Sequence, residues 1–274
     1  DIKGKKVAWI GDANNMCNSY INASKQFEFH LSIATPDKFI PSLYNKNDNI
    51  LLTNDPLIAA KDADLVVVSI PVDVTVSELP NILDLVSDDA VVFDVGSTKE
   101  AICDSVKDHP KRRNFLAAHP IAGTEFSGPS AAIQGLYQGK TNIICEVEET
   151  AFKLQEKALK LFSDIGMRIR YMKPKAHDKH IAYVSHLSHI SAFMLGKTVI
   201  EMEKNERDIF DMAGSGFEST VRLAKSSPEM WTPIFEQNKK NVVKTLDEYI
   251  INLKHFKSLI EDDKFESVNQ EMRN

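Results

Sequence analysis

Between residues 5 and 172 the chain alternates short apolar runs with spans of helical spacing, and few folds tolerate that alternation. Residues 5–11 (KKVAWIG), 29–35 (FHLSIAT), 65–70 (LVVVSI) and 90–95 (AVVFDV) are nearly continuous in hydrophobic residues, as strands buried on both faces require. Weaker runs at 50–53, 115–118, 141–145 and 168–172 extend the series. Helix-compatible spans at 14–27, 55–61, 72–86 and 98–106 lie between them. Asp55 is placed to cap the second of these, with Pro56 in its first turn. The pattern predicts an α/β fold built on a Rossmann-like, doubly wound, mostly parallel sheet.

After residue 148 the character changes. A helix is expected at 151–162 and a last strand at 168–172, and from 175 onward nearly every segment has helical spacing. Trp231, Phe235, Val242, Leu246, Tyr249, Leu253 and Phe256 mark one long amphipathic stretch over 231–259. The expected division is an α/β nucleotide-binding unit at 1–148 and a mainly helical substrate and dimerisation unit at 149–274. Residues 261–274 are polar and expected to fray. A chain of 274 residues with 43% hydrophobic content has room for both units.

Charge and cysteine content narrow the partners. The formal net charge of -6 argues against non-specific nucleic-acid binding. Three widely spaced cysteines suit a reduced, cytoplasmic protein better than a disulfide framework. No apolar run approaches the roughly 18 residues of a membrane span, and no signal peptide is expected. Residue 1 is Asp, which reads as a trimmed end.

The densest chemistry lies in His119-Pro-Ile-Ala-Gly-Thr-Glu-Phe-Ser-Gly128. Following a strand, His119 would stand at the carboxyl edge of the sheet, where ligands bind in such folds. An imidazole there can take a proton from a substrate hydroxyl as hydride leaves the same carbon; the alternative is a loop histidine capping nearby backbone. Ser97 and Thr98, in Asp94-Val-Gly-Ser-Thr-Lys99, could cap the next helix or face a ligand. His177, His180, His186 and His189 raise the question of a metal. At 100° per residue, however, the second pair falls nearly opposite the first, and there is no nearby cysteine and no H-E-x-x-H pattern, so no metal site is expected. His186 and His189 share a face and would line a polar pocket or sit satisfied in the core. Arg222 is a candidate clamp for a carboxylate or a surface arginine. Trp231 is more often core than ligand-stacking.

Taken together, DVGSTK at 94–99, HPIAGTEFSG at 119–128, HDKHIAYVSHLSH at 177–189 and GSGFESTVRLAKSSPEMW at 214–231 make residues 64–256 resemble prephenate dehydrogenase, in family order and spacing. The resemblance implies His119 as acceptor of the proton from the ring hydroxyl, with Ser97 close by, holding the imidazole or that hydroxyl. It implies His189 and Arg222 in the prephenate pocket, with Arg222 on a carboxylate, and His186, Thr124, Gly216 and Trp231 around them. It further implies a homodimer formed through the helical unit. The reaction implied is hydride transfer from prephenate to NAD or NADP with loss of carbon dioxide, giving 4-hydroxyphenylpyruvate in tyrosine biosynthesis. Gly11, Ser69, Pro71 and Ser97 would then face the cofactor.

Residues 1–63 do not fit that family. DIKGKKVAWIGDANNMCNSYINASKQFEFHLSIATP and LLTNDPLIAAKDADLVV are similar to the ornithine-binding domain of ornithine carbamoyltransferase, with Asn15 matching an ornithine-contacting residue. That family's carbamoyl-phosphate domain and its Ser-Thr-Arg-Thr and His-Cys-Leu-Pro motifs are absent from the sequence, so carbamoyl transfer is not expected. The join reads as a chimera in which one strand–helix–strand unit was exchanged for another, with engineering the favoured origin. A dinucleotide turn reads G-x-G-x-x-G, its glycines admitting the pyrophosphate and close helix packing. Here Gly11-Asp12-Ala13-Asn14-Asn15-Met16 keeps only the first glycine, so NAD or NADP binding is expected to be weakened, with Asp12 repelling phosphate.

Overall fold

The apolar runs become strands: β1 (Lys6–Gly11), β2 (His30–Ala34), β3 (Ile50–Thr53), β4 (Leu65–Ser69), β5 (Val91–Asp94), β6 (Phe115–Pro120), β7 (Thr141–Cys145) and β8 (Arg168–Met172). In this computed structural model, residues 2–13, 15–46, 49–124, 133–204 and 208–273 are described. The strands form one sheet in the order β3-β2-β1-β4-β5-β6-β7-β8. Neighbours from β3 to β6 run parallel, β7 runs against β6, and β8 follows β7 in parallel. The sheet therefore continues past residue 148, the expected end of the α/β unit, because the segment after β7 returns to place β8 beside it.

Strand alternation sends successive side chains to opposite faces, and here both faces are dry. Ala8, Ile10, Val66, Val68 and Val92 enter one core, while Val7, Trp9, Val67 and Phe93 enter the other. The first core is covered by α3 (Val72–Leu85), which runs through Pro80 and contributes Leu79, Ile82 and Leu83. The second is covered by α1 (Asn15–Phe27) and α5 (Phe152–Asp164). Phe93 and Phe162 meet edge to face with centroids 4.9 Å apart, and each fully buried ring contributes on the order of 2–3 kcal/mol of transfer free energy. Short α2 (Pro56–Ala60) starts as expected, Asp55 Oδ1 accepting the Leu57 N–H at 2.8 Å. The next helix, α4 (Glu100–Ser105), begins two residues later than its expected start at Thr98.

The helical half departs from the expected pattern at three places. The span 177–189, treated as one continuous helix when its histidines were placed, is divided among α6 (Pro174–Ile181), a π-helical turn at Ala182–His186, and α7 (Leu187–Glu203). The stretch 231–259 divides at Asn238 into α9 (Pro228–Gln237) and α10 (Lys239–Glu261), with α8 (Ser215–Val221) preceding them. The tail expected to fray instead forms α11 (Phe265–Glu271), because Val268 is buried. Trp231 and Ile234 of α9 join the core beneath α3, which ties the two halves together. No described helix is long and apolar enough to cross a membrane.

Candidate active site

The switch in strand order lies between β1 and β4, and the carboxyl ends of β1, β4, β5 and β6 form one continuous edge. Three strand spacings separate Gly11 on β1 from His119 on β6, roughly 14 Å at the usual 4.8 Å per strand. Gly11, Ser69, Pro71 and Ser97 all stand along this edge, between the switch point and His119. Gly11 has φ +140°, and a Cβ there would lie 1.9 Å from the Ser69 carbonyl oxygen. The glycine is needed for the contact of β1 with β4.

The turn after β1 differs from what the missing glycines implied. Ala13, Met16 and Cys17 are buried in the core under α1, so their side chains point away from the edge. Burial also pushes the Cys17 thiol far up, with the Asp12 charge adding to it. Asp12 itself is half-buried. Asn14 and the side chain of Asn15 lie outside the described residues, as do 125–128 of the His119 motif.

His119 is buried and hydrogen-bonded through Nδ1 to His177 Nε2 at 2.8 Å. His177 Nδ1 in turn meets Asp178 Oδ1 at 2.7 Å. The Asp178 carboxylate also accepts the N–H groups of Lys99 (2.8 Å) and Glu100 (2.9 Å). It thereby caps α4 from a different element, the role that sequence offered to Ser97 or Thr98. Thr98 instead donates to Gln237 Oε1 at 2.6 Å, and Ser97 is half-buried in the loop between β5 and α4. The Nδ1 side of the His119 imidazole is held by His177, a partner the sequence did not suggest.

A buried ion pair braces the same loop. Lys99 Nζ bonds Asp94 Oδ2, and neither side chain is exposed. Asp94 also accepts the N–H of Gly96 at 2.9 Å and of Ala118 at 3.2 Å, so one carboxylate joins β5, the loop and β6.

The π-helical turn changes the phase on which the opposite-face argument rested. His186 faces the same buried cluster as His177: Asn238 Nδ2 donates to the Asp178 carbonyl at 2.7 Å and lies 3.3 Å from His186 Nδ1. His189 stacks on Trp231 with centroids 3.7 Å apart, and Phe235 extends the aromatic group. Trp231 is thus both core and the shelf under His189. Among the described residues His186 Nε2 and Trp231 Nε1 have no hydrogen-bond partner. Arg222 is exposed, near enough for its charge to act on His189, while Gly216 is exposed and Thr124 half-buried. His180 is exposed, and no group of described residues is arranged to hold a metal ion.

Burial favours the neutral form of His119, His186 and His189. The His119 pKa lies well below its ordinary value, first from desolvation and then from the charges of His177, Lys99 and His186. Burial lowers His186 to about 4, against the opposing pull of Asp178. His189 is lowered by burial and by Arg222, partly offset by its bond to the Ser185 carbonyl. Since the folded values lie below the unfolded one, the unfolded chain binds more protons on acidification. Stability should be complete above about pH 6.5, the unfolded histidine value, and fall as pH drops from there toward 4. Melting temperatures between pH 7.5 and 4.5 test this; a flat profile would refute the neutral-imidazole assignment.

His177, Asp178, Asn238 and the Asp94–Lys99 pair were not singled out as site residues from the sequence. Asp94, Lys99, His177 and Asp178 do fall within the DVGSTK and HDKH motifs; Asn238 lies outside any motif.

Comparison with known proteins gives a two-part result. The model for the prephenate dehydrogenase nucleotide-binding domain matches residues 45–171, and that for the prephenate dehydrogenase dimerization domain matches 173–274. The model for the aspartate/ornithine carbamoyltransferase Asp/Orn binding domain matches residues 3–78. Cyclohexadienyl dehydrogenase of Zymomonas mobilis is 30% identical over 79% of this chain and 73% of its own. Prephenate dehydrogenase of Bacillus subtilis is 28% identical over 76% of this chain, but the match spans only 57% of its length. Ornithine carbamoyltransferase of Nitrosococcus oceani is 48% identical over 26% of this chain and 24% of its own. Among solved structures, prephenate dehydrogenase of Aquifex aeolicus in complex with hydroxyphenyl propionate and NAD+ superposes with a TM-score of 0.84. It is 30% identical and covers 98% of this chain and 95% of that one.

Proposed function

The chain belongs to the prephenate dehydrogenase family, and from that premise we propose that it oxidises and decarboxylates prephenate to 4-hydroxyphenylpyruvate, a step of tyrosine biosynthesis. The observation that carries the proposal is His119: neutral, buried, at the carboxyl end of β6 and held through one ring nitrogen. It takes the proton from the ring hydroxyl as hydride leaves the carbinol carbon. Carbon dioxide then departs, its bonding electrons complete the aromatic ring, and the ring oxygen regains a proton as a phenol. Arg222 binds a carboxylate, and His189 on its Trp231 shelf, with His186, Thr124 and Gly216, shapes the pocket. The N–H of Trp231, without a partner among the described residues, supports a pocket for an acid, since a carboxylate or carbonyl would satisfy it. The main contributions of the protein are orientation and a positioned base.

The carboxyl edge fits a dinucleotide in backbone terms. Gly11 keeps β1 against β4, α1 presents its N-terminal amides there, and the side chains of Ala13 and Met16 are withdrawn. Gly11, Ser69, Pro71 and Ser97 would hold the cofactor, which supplies the hydride acceptor when bound. Asp12 opposes the pyrophosphate, so affinity for NAD or NADP is weakened. Asp12→Gly should tighten nucleotide binding by about fivefold, the equivalent of the roughly 1 kcal/mol of one unit-charge repulsion at about 4 Å screened by bulk water. Titration calorimetry with NAD and with NADP checks it; unchanged affinity would clear Asp12.

A helix apolar on most sides needs cover. Although α7 contains nine hydrophobic residues, only Ala192 is buried, and Met194, Leu195, Ile200 and Met202 are exposed. This supports a homodimer joined through the helical half, testable by sedimentation against the 30.8 kDa chain mass.

A second reading, a folded hybrid that turns over feebly, is favoured by one observation. A cavity of about 450 Å³ lies where α1 of the carbamoyltransferase-like segment faces α5 and Tyr137 of the dehydrogenase-like one. Met16, Tyr20 and Phe27 line one wall, and Leu136, Tyr137 and Leu161 the other. Walls from two families that leave such a gap suit an exchange of units by chimera formation. Mixing the protein with prephenate and NAD, then NADP, and following reduced nicotinamide by absorbance decides between the readings. Turnover lost in His119→Asn upholds the first; a folded, inactive chain upholds the second.

A further inference from the structure

We propose that His177, anchored by Asp178, is a positioning residue that fixes the tautomer of His119 and leaves its Nε2 lone pair free to accept the proton. This rests on the reading of His119 as base. Asp178, as a carboxylate, only accepts hydrogen bonds. The proton between it and His177 therefore belongs to His177 Nδ1. With that single proton on His177, its Nε2 is the acceptor in the 2.8 Å contact, which puts the shared proton on His119 Nδ1. The remaining His119 nitrogen, Nε2, carries the lone pair. The two rings meet edge-on, centroids 5.1 Å apart at 65°, so the order of donors is set by packing as well as by charge.

The anchor is rigid. Asp178 is fixed by two backbone amides at the start of α4, and its own carbonyl accepts from Asn238. His177 and Asp178 are adjacent in α6, and both are buried. The charged and titratable groups acting on His119 are His177 itself, Lys99 and His186. Lys99 is neutralised by Asp94, and His186 is neutral near pH 7. The hydrogen-bond chain from His119 runs through His177 to the Asp178 carboxylate. Tautomer control of this kind orients a catalytic imidazole and stabilises its protonated form.

The test uses the whole chain labelled with ¹⁵N-histidine, at pH 7.5, without substrate. His119 and His177 should both show a protonated Nδ1 and an unprotonated Nε2, whereas free histidine favours the reverse tautomer. An Nε2-protonated His119 in the unmodified protein overturns the proposal, whatever the turnover. In His177→Phe, which offers no acceptor, His119 should lose its fixed tautomer and kcat should fall by about 100-fold with KM little changed. In His177→Gln, whose carbonyl can accept the His119 Nδ1–H, tautomer and most of kcat should return. Retained tautomer and kcat in His177→Phe would overturn the proposal. Should the unmodified protein show the expected tautomers without turnover, the positioning role stands and the dehydrogenase reading fails.

Discussion

His119→Asn is expected to reduce turnover by roughly 10²–10⁴-fold, the range that a positioned general base contributes. The substitution isolates the chemistry from the fold. The Asn amide approximates the Nδ1 side of the ring and can still donate to His177 Nε2, so the bond that ties β6 to α6 is preserved. What disappears is the basic nitrogen. Burial already keeps the wild-type imidazole neutral, so wild-type activity should not decline through protonation of free His119 until well below pH 6.5, the ordinary histidine value. Steady-state reduction of nicotinamide, measured alongside the melting curve, is the check. More than a tenth of wild-type kcat with an unchanged melting curve would remove His119 from the role of base.

Gly11→Ala is expected to cost roughly 2–6 kcal/mol, the sum of an overpacking and a backbone-strain penalty. That is a large share of the 5–15 kcal/mol by which domains are usually stable. The added Cβ would sit 1.9 Å from the Ser69 carbonyl oxygen and 2.5 Å from its carbon, inside any van der Waals contact. Those atoms are backbone of β4, and Gly11 and Ser69 are the last register pair of the β1–β4 ladder, so neither can rotate away. The strands must part at the switch point, where the cofactor would bind. Gly4→Ala is the control: it shares positive φ (+73°) but has nothing within 4 Å of the added methyl. It should cost only about 1 kcal/mol. Urea denaturation of both variants reads the difference; equal midpoints would show that β1 and β4 yield freely.

Much of this molecule could be read directly. Strand positions follow from β-type apolar runs because a doubly covered sheet needs nearly every residue of a strand to be hydrophobic. The Asp55 cap was legible because capping is local, two residues away from its target. The division of the histidine-bearing span 177–189 was not, since a π-helical turn in Ala182–His186 leaves no fixed mark on periodicity yet changes which histidines share a face. The order of α11 was hidden for a similar reason: one buried Val268 is enough to dock a short polar helix once α10 is beside it.

By itself the sequence determined the alternation of strands and helices, the sheet class, the two family resemblances and the position of His119 at a strand end. Those are properties of local periodicity and of motifs contiguous in the chain. Only the tertiary structure decided what holds His119. Asp178 reaches α4 across 79 residues, and His177 reaches His119 across 58. Hydrogen bonds in a buried cluster depend on distances of a few tenths of an ångström between elements far apart in the chain. Packing sets those distances, and no spacing along the sequence encodes them.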